Sequence, residues 1–266
     1  MKRLIYTAVF GGYDRVYAPV QREADVDYVI FTDDPALQVP GWQTFPVDAA
    51  KFATPKAANL YHRALVHRLL TGYDASLYVD GNIRILGPTA ALFEALEKSG
   101  AAMIQYPHPL RQTVREELEA VISAGKVSDS ERVRQEVEGY FESGFPDDIG
   151  LGETTVLLKN HSHPKLDAAM EFWYKLFLAH LSRDQLSLPF VIWRTGLEID
   201  WMSGSFREPN PYFALYPHIG ASGINPLYVE VSARSHDNIV LRTFLALWHF
   251  SWKLRRVFRR QRQTGP

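Results

Sequence analysis

Residues 77 to 85 read Leu77-Tyr78-Val79-Asp80-Gly81-Asn82-Ile83-Arg84-Ile85, in which an Asp, a Gly and an Asn separate two apolar runs. The apolar runs predict buried strands. Ionised Asp80 cannot lie inside such a strand, because an unpaired buried carboxylate is very unfavourable. We therefore expect Asp80 and Asn82 at the end of the first strand, facing a cleft. Gly81 would let the backbone bend there and a ligand approach closely.

Two interpretations of Asp80-Gly81-Asn82 are open on spacing alone. Asp, Gly and Asn are common in tight turns, so the residues predict a turn between two strands. The same residues place two oxygen donors two positions apart, which suits Mg or Mn. These ions prefer oxygen ligands and usually keep coordination places for substrate phosphates. The rest of the sequence is needed to choose between the two.

The composition is that of a globular protein without thiol chemistry. The 266 residues are 46% hydrophobic and 22% charged with a formal net charge of -1, which allows one large domain. The near-neutral charge argues against wholesale nucleic-acid binding but not against a local basic patch, which lies at the C-terminus. The absence of cysteine excludes disulfides and thiolate metal sites. The first apolar run, Leu4 to Phe10, is too short for a signal peptide, and no run has the length of a membrane span. We therefore expect a cytoplasmic protein.

Strand and helix patterns alternate along the first half of the chain. Strands are predicted at 4–10, 27–32 and 42–47, and a helix from Pro55 to just before Gly72. This order indicates an α/β domain with a mixed, mainly parallel sheet flanked by helices. Ligands of such sheets gather at the carboxyl ends of the strands, where the following polar residues would meet: Gly11, Gly12, Asp33, Asp34, Asp80 and Asn82.

The second half continues the same construction. A helix is predicted at 90–99, a strand at 101–106, solvated amphipathic helices at 112–142 with a break near Gly125, a strand at 150–158 and a helix at 166–181. No repeat or low-complexity linker interrupts these elements. We predict one domain over residues 1–235, followed by an amphipathic basic tail at 236–266 that includes a basic and aromatic helix.

Several motifs resemble, in order, those of a known family. They are Tyr6 to Asp14, Phe31 to Asp34, Val79 to Ile83, His108-Pro109 with Arg111, and Ser182 to Ser187. Over about residues 4 to 218 the chain is similar to the glycosyltransferase-like family catalogued as domain of unknown function 616. More distantly, the run from Leu60 through Arg63 to Asp80 resembles family 8 glycosyltransferases.

The resemblance implies a GT-A-like, Rossmann-related fold and a hexosyltransferase type of activity. The enzyme would move a sugar from a nucleotide-diphosphate donor to a saccharide or lipid-linked glycan, in the biosynthesis of a cell-surface polysaccharide or lipopolysaccharide. The order of the metal motif and the Asp-Gln motif suggests a retaining enzyme by analogy.

The resemblance also implies a divalent metal, Mn or Mg, held by Asp80 and Asn82. Such an ion stabilises the negative charge that develops on a diphosphate leaving group. The related enzymes have a second Asp where this chain has Asn82, which offers an oxygen but no charge. A third ligand is expected from a His late in the chain. His218 is our candidate, and His236 is the alternative.

The loop after the first strand is expected to bind the donor nucleotide. Gly11 and Gly12 let the backbone approach a ligand and leave Tyr13 free to stack on a base, although the pair also fits a plain turn. Asp33 or Asp34 could accept hydrogen bonds from the base or ribose, although Asp33-Asp34-Pro35 is equally typical of an ordinary loop. The resemblance implies a phosphate contact for Arg63. Three further residues complete the predicted donor site: Thr7, Phe10 and Asp80.

Candidate catalytic residues are Asp184, Gln185 and Glu153. In glycosyltransferases of similar layout an Asp-Gln pair lies near the donor sugar, so Asp184 is expected to orient sugar hydroxyls or assist the acceptor. Ser182 and Gln185 fit a helix capping box equally well. Acceptor contacts are expected from four residues: His108, Arg111, Thr154 and Arg183.

The C-terminal segment 248–262 mixes aromatic and apolar residues with six basic residues, all between 253 and 262, and contains no acidic residue. A helix of this kind lies in a bilayer interface and is attracted to anionic lipids, which predicts peripheral contact with the inner face of a membrane. A packed aromatic helix with a disordered basic tail is one alternative, and nucleic-acid contact is another.

Two other functions are open. A metal-dependent hydrolase could use Asp80, His108, Asp184 and His218, and it would be expected to have a dense cluster of His and Asp. A non-catalytic carbohydrate-binding or membrane-binding module could keep the same fold with metal ligation weakened by Asn82.

Overall fold

The computed structural model describes residues 1–127, 129–180, 183–219 and 225–248. Its strands are β1 (Arg3–Val9), β2 (Val26–Thr32), β3 (Gln43–Pro46), β4 (Ala75–Val79), β5 (Ile83–Ile85), β6 (Met103–Pro107), β7 (Gly152–Asn160), β8 (Ile199–Trp201) and β9 (Phe213–Leu215). Its helices are α1 (Pro55–Leu69), α2 (Ala90–Ser99), α3 (Val114–Ser123), α4 (Ser130–Glu142), α5 (Leu166–His180), α6 (Asp184–Thr195) and α7 (Pro226–Arg234). Residues 49–51 form a 3-10 turn, and residues 239–248 are also helical.

Seven strands form one mixed sheet in the order β3-β2-β1-β4-β7-β6-β8. β1 pairs in parallel with β2 and β4, β3 in parallel with β2, and β8 in parallel with β6. β7 is antiparallel to both of its neighbours, β4 and β6. β5 and β9 form a separate antiparallel pair. The predicted α/β architecture with a mixed, mainly parallel sheet is therefore confirmed.

The central strands are buried on both faces. Successive residues of a strand point to opposite sides, so Tyr6 and Tyr78 pack with α1, α5 and α6, while Ile5 and Leu77 pack with α2. Because both faces of the sheet are covered, a charged residue next to one of these strands can avoid the core only at the end of the strand. This confirms the placement expected for Asp80.

Helix α1 carries Arg63 and is interrupted two residues later. Its N-cap Thr54 accepts a hydrogen bond from the amide of Ala57, and Leu65 has non-helical dihedrals, φ -107° and ψ 20°. The break leaves the carbonyl of Arg63 available to the Tyr6 hydroxyl, at 2.6 Å, and to the buried ammonium of Lys159. These bonds tie the part of α1 that holds Arg63 to strands β1 and β7.

The charged segment at 112–142 forms α3 and α4, with the predicted break at Gly125, where φ is 62°. The apolar faces of both helices pack against α6, which confirms their amphipathic character. Two acidic residues depart from the expectation of a solvated polar face, because Glu117 in α3 is 1% exposed and Glu136 in α4 is 6% exposed.

The contacts of Arg84 cross the predicted domain boundary between residues 235 and 236. The Arg84 side chain in β5 donates hydrogen bonds to the carbonyl oxygen of Ala233 and, at 2.6 Å, to Asp237. In the described part of the chain, no helix is long and apolar enough to cross a membrane. Except for Trp248, the predicted membrane-binding segment 248–262 lies outside the described residues.

Candidate functional site

The Asp-Gly-Asn turn lies at the carboxyl end of β4. The amide of Asp80 donates to the carbonyl of Thr155 in β7, and the amide of Ile83 closes the turn by donating to the carbonyl of Asp80, both at 2.9 Å. Gly81 is required by close packing, since an added Cβ would lie 2.5 Å from Val9 Cγ2 and 2.9 Å from Asp14 Cβ. The stretch is therefore a tight turn, as one of the two interpretations predicted.

A cavity of about 450 Å³ opens beside this turn. It lies where the carboxyl end of β4 meets the amino-terminal half of β7. The three predicted metal ligands all line it, together with neighbouring residues: Asp80, Asn82, His218, Thr155, Phe206, Arg207, Leu215, Tyr216 and Pro217. The fold thus brings His218 to Asp80 from far along the chain.

Asn82 is anchored by its nitrogen and leaves its oxygen free. Its side-chain amide donates to the carbonyl of Tyr216 at 2.7 Å, and the amide of Tyr216 returns a 2.9 Å bond to the carbonyl of Asn82. The residue is 4% exposed, and its Oδ1 has no hydrogen-bond partner among the described residues. A buried oxygen without a partner is unfavourable, so a bound cation or a ligand donor would satisfy it.

His218 is held by two residues of the loop after β1. Its Nδ1 lies 2.7 Å from Asp14 Oδ1, and its ring centroid lies 4.7 Å from that of Tyr13. The hydrogen bond to Asp14 raises the pKa of His218 above its usual value. The alternative ligand His236 packs its ring 6.4 Å from that of Tyr216 and does not line the cavity. His218 is therefore the better placed of the two.

The donor set fits a divalent ion when Asn82 is included. The cavity is lined by a carboxylate from Asp80, the unpartnered oxygen of Asn82 and the imidazole of His218. Among the described residues, no three His, Cys, Asp or Glu side chains are grouped in a way that could hold a metal. Any metal site at this cavity would consequently depend on the neutral oxygen of Asn82.

Two carboxylates share the guanidinium of Arg63. Nη1 of Arg63 donates to Asp184 Oδ2, and Nη2 lies 3.8 Å from Asp80 Oδ1. Thr154 Oγ1 donates to the same oxygen of Asp184 at 3.0 Å, and the Tyr78 hydroxyl donates to Asp80 Oδ1 at 2.7 Å. The predicted catalytic carboxylate Asp184 therefore lies in one network with the predicted metal ligand Asp80.

The two carboxylates of this network differ in acidity. Burial raises the pKa of Asp80 to about 6, although Arg63 and the Tyr78 hydroxyl oppose the change. Burial also acts to raise the pKa of Asp184, but Arg63, Arg183 and Thr154 together hold it below its usual value. Asp184 is thus the ionised partner of Arg63 near neutral pH, and Asp80 is the carboxylate that protonates more readily.

Glu153 lies at the start of β7 and pairs with a residue of the cavity wall. Arg207 Nε donates to Glu153 Oε1 at 2.7 Å, while the other carboxylate oxygen is buried without a partner among the described residues. Burial raises the pKa of Glu153, and Arg207 and Arg111 act in the opposite direction. Arg207 thus connects Glu153 to the cavity.

His108 and Arg111 are organised by the buried carboxylate of Glu117. Arg111 Nε donates to Glu117, whose oxygens lie 3.9 Å from His108 Nε2 and 3.8 Å from Arg183 Nη2. His108 Nδ1 accepts a 3.0 Å bond from the amide of Arg111. Burial, with Arg111 and Arg207 nearby, lowers the pKa of His108 to about 4. Neutral His108 therefore orders this loop, and it does not line the cavity.

The predicted donor loop has the backbone that its sequence suggests. Gly11 and Gly12 adopt positive φ angles of 67° and 63°, and the amide of Gly11 donates to both carboxylate oxygens of Asp33, at 3.1 and 2.9 Å. Two other predicted donor residues, Thr7 and Phe10, are 1% and 3% exposed. The structure buries them in the core and does not bring them to the surface of the loop.

Helix α6 begins at Asp184, and its N-cap Arg183 makes no side-chain capping bond. Gln185 Nε2 donates to the carbonyl of Gly152 at 3.3 Å, which links α6 to the start of β7. Ser182, the other residue of the predicted capping box, lies outside the described residues.

Sequence reasoning assigned no role to three residues that shape the site. Asp14 lies in the loop after β1, two residues after the glycine pair, so its place in the predicted ligand-binding loop could have identified it. Glu117 resembles the exposed acids around it in α3, and Arg207 lies in a loop without regular structure. Neither of these two carries a local sequence signal.

Solved structures of three glycosyltransferases are similar to this chain. GlyE of Streptococcus pneumoniae TIGR4 is 12% identical with a TM-score of 0.45, over 76% of this chain and 45% of that chain. Mouse xyloside xylosyltransferase 1 is 10% identical with a TM-score of 0.42, over 75% and 84%. The galactosyltransferase LgtC, in complex with donor and acceptor sugar analogs, is 10% identical with a TM-score of 0.42, over 75% and 72%. The chain thus spans less than half the length of GlyE.

The sequence also matches a family model. We found no match among curated proteins. The model described as TOD1/MUCI70, glycosyltransferase-like domain, matches residues 1–210, which include β1 through β8. Of the predicted site residues, only the two candidates for the third metal ligand, His218 and His236, lie beyond this match. This chain therefore belongs to the TOD1/MUCI70 glycosyltransferase-like domain family.

Proposed function

We propose that this protein is a GT-A type glycosyltransferase of the hexosyltransferase kind. It moves a sugar from a nucleotide-diphosphate donor to a saccharide or lipid-linked glycan acceptor, with the help of Mn or Mg. The observation that carries the proposal is the cavity that Asp80, Asn82 and His218 line together, in a chain of a glycosyltransferase-like family.

The proposed metal ligands are Asp80, Asn82 and His218. A bound divalent ion supplies positive charge where the diphosphate leaving group gains negative charge. Tyr78 and Arg63 support the assignment, because they hold one oxygen of Asp80 from the protein side. The anchored nitrogen of Asn82 likewise leaves its oxygen as the atom available to a ligand.

The loop after β1 and Arg63 are proposed to bind the donor. The loop at Gly11, Gly12 and Tyr13, fixed by Asp33, is proposed to contact the nucleotide. Arg63 is proposed to act on the phosphates through its charge, since Asp184 and Asn59 occupy its terminal nitrogens. A phosphate near these carboxylates would be favoured by that charge.

Asp184 is proposed to orient donor hydroxyls or assist the acceptor, with retention of configuration. Its support is that Arg63 and Thr154 hold one carboxylate oxygen in place and keep the group ionised. Gln185 and Glu153 are proposed to act beside Asp184. The residues proposed to bind the acceptor are His108, Arg111, Thr154 and Arg183. The acceptor would belong to polysaccharide or lipopolysaccharide biosynthesis.

A turnover assay tests the proposal. The full chain is incubated with uridine and guanosine diphosphate sugars, Mn and candidate glycan acceptors, and released nucleoside diphosphate is measured. We expect release that depends on the acceptor, that is lost in Asp80→Ala and that persists in Glu94→Ala, an exposed acid on α2. Release that is equal in the Asp80→Ala protein would contradict the proposal.

The hydrolase is less well supported by the geometry. It needs His108 beside Asp80 and His218, whereas His108 is bound to Arg111 and lies against Glu117, away from the cavity lining. A non-catalytic carbohydrate-binding or membrane-binding module would release no product from any donor. The turnover assay therefore separates both alternatives from the transferase.

We also propose that the C-terminal segment contacts an anionic membrane at the inner face. The helical residues 239–248 expose four apolar side chains, those of Ile239, Val240, Phe244 and Leu247, and the six basic residues follow in the sequence. We expect the full chain to sediment with phosphatidylserine vesicles and not with phosphatidylcholine vesicles. Equal sedimentation with both would contradict an electrostatic attachment.

A further inference from the structure

Asp14 occupies a position that the proposed function leaves unexplained. It follows the glycine pair of the donor loop, yet its side chain turns inward and is only 9% exposed. Its Oδ1 lies 2.7 Å from Nδ1 of His218, a residue 204 positions further along the chain. The bond joins the first loop of the sheet to the segment that carries the proposed third metal ligand.

The same residue also packs against the metal-binding turn. A Cβ added to Gly81 would lie 2.9 Å from Asp14 Cβ and 3.4 Å from its Oδ2, so only glycine lets the two segments approach this closely. Asp14 therefore touches the turn that carries Asp80 and Asn82 while it binds His218.

The ring of His218 is restrained on a second side. The Tyr13 ring lies 4.7 Å away at an interplanar angle of 42°. With Nδ1 bonded to Asp14, Nε2 is the nitrogen that remains for a ligand. Histidines that bind metals usually donate the other ring N–H to a carboxylate or carbonyl, which fixes the tautomer and the ring orientation.

We propose that Asp14 is a positioning residue that orients His218 so that its Nε2 faces the cation of the Asp80 cavity. The inference rests on the proposed function, because it needs a divalent cation at that cavity. It assigns Asp14 to the support of a ligand, and it excludes Asp14 as a ligand itself.

A double-mutant cycle on Mn binding tests this assignment. The affinity for Mn alone is measured by electron paramagnetic resonance of the free ion, without nucleotide or turnover, for the wild-type chain, Asp14→Ala, His218→Ala and the double variant. We expect Asp14→Ala to weaken Mn binding about 10- to 100-fold, as for other supporting partners of metal ligands. In the His218→Ala background it should cause no further loss, because the effect acts through that residue.

Two further variants separate positioning from folding. Asp14→Asn keeps an oxygen that accepts the Nδ1 hydrogen bond, so its Mn affinity should lie between those of the wild type and Asp14→Ala. Glu94→Ala, on the exposed face of α2, should bind Mn as the wild type does. Thermal unfolding of each variant shows whether a loss of affinity accompanies a loss of fold.

Three results would overturn the inference. Asp14→Ala could bind Mn as tightly as the wild type, or it could weaken binding equally in the His218→Ala background, as a direct ligand would. The wild-type chain could also fail to bind Mn. Nucleotide binding measured separately by calorimetry then shows whether the glycosyltransferase proposal survives that failure.

Discussion

At the scale of single residues, Asn82 places a neutral side chain among the proposed metal ligands. Its nitrogen binds the carbonyl of Tyr216 at 2.7 Å, and its buried oxygen has no partner in the described part of the chain. An Asp at this position would supply more charge to a cation, but it could not donate to that carbonyl. The amide therefore joins the turn to the segment that leads to His218.

Replacing this residue with a carboxylate tests the arrangement. Without metal, Asn82→Asp should lower the free energy of unfolding by about 1–3 kcal/mol, because it removes a buried donor and adds charge near Asp80. Mn should restore more stability to the variant than to the wild type. Urea denaturation with and without Mn measures both effects, and a variant as stable as the wild type without metal would contradict this account.

Arg63 is the cation that two carboxylates share, and its removal should be costly. Arg63→Met leaves Asp80 and Asp184 without their common partner, so the free energy of unfolding should fall by about 3–5 kcal/mol. Adding Asp184→Asn should recover part of the loss, because it removes one unpaired charge. Urea denaturation of the single and double variants measures the recovery. No recovery would show that the stabilising effect of Arg63 comes from other contacts.

At the scale of the elements, the contact between β4 and β7 depends on a neutral histidine. His161 Nδ1 donates to the carbonyl of Tyr73 at 3.0 Å, and its Nε2 accepts a 2.7 Å bond from the Ser76 hydroxyl. Burial, with Lys159 and His67 nearby, lowers the pKa of His161 to about 3. The contact between β4 and β7 therefore requires the uncharged imidazole ring of His161.

Low pH should weaken this contact between β4 and β7. The pKa of an unfolded histidine is about 6.5, so as the pH falls from there towards about 3 the unfolded chain takes up a proton that folded His161 does not. The free energy of unfolding should fall by up to about 1.4 kcal/mol per pH unit from this residue. His108, with its pKa lowered to about 4, acts in the same direction.

Urea denaturation at several pH values checks this prediction. The free energy of unfolding of His161→Gln should depend less steeply on pH than that of the wild type between pH values of about 6.5 and 5. Equal slopes for the two proteins would contradict the role given to His161.

The sequence predicted the elements better than their arrangement, for physical reasons. The run into Asp80 and the helix from Pro55 are local patterns of apolar residues, and both elements are confirmed. The insertion of β7 between β4 and β6, antiparallel to both, is decided by long-range packing that no local pattern records. The burial of Glu117 likewise depends on Arg111 and Arg183 approaching it in the folded chain.

The candidate site was predictable where residues follow strands in a known motif order, as Asp80, Asn82 and His218 do. The cavity that these three residues line could not be predicted, because it forms only when the segment after β9 folds back against the end of β4. Arg207 lies in a loop without a motif, and the approach of Asp14 to Gly81 depends on three-dimensional packing.

At the scale of the whole molecule, Arg84 links β5 to the loop after β1 and to residues 233–237. It is 4% exposed and binds the carbonyl oxygens of Ala18 and Ala233, besides the carboxylate of Asp237. A buried cation with this many partners orders segments that are distant in sequence. Arg84 therefore binds residues on both sides of the predicted domain boundary at residue 235.

Loss of this anchor should loosen α7. Arg84→Leu should increase hydrogen exchange of the backbone N–H groups of α7 that follow Pro226 by at least about 10-fold, since the loss of one buried, charged hydrogen bond costs about 1.5–3 kcal/mol. Arg234→Ala should have little effect there, because the Arg234 side chain is 64% exposed in its ion pair with Glu230. Mass spectrometry of hydrogen exchange measures both variants, and equal protection of α7 in Arg84→Leu and the wild type would contradict the anchoring role.

The central claim is that the Asp80 cavity binds a metal and a nucleoside diphosphate. Calorimetric titration of the full chain with uridine and guanosine diphosphate, with and without Mn, tests it most directly. We predict binding of at least one of them that requires Mn and is abolished by Asp80→Ala while Glu94→Ala retains it. Failure of both nucleotides to bind in the presence of Mn, or equal binding by Asp80→Ala, would contradict the account.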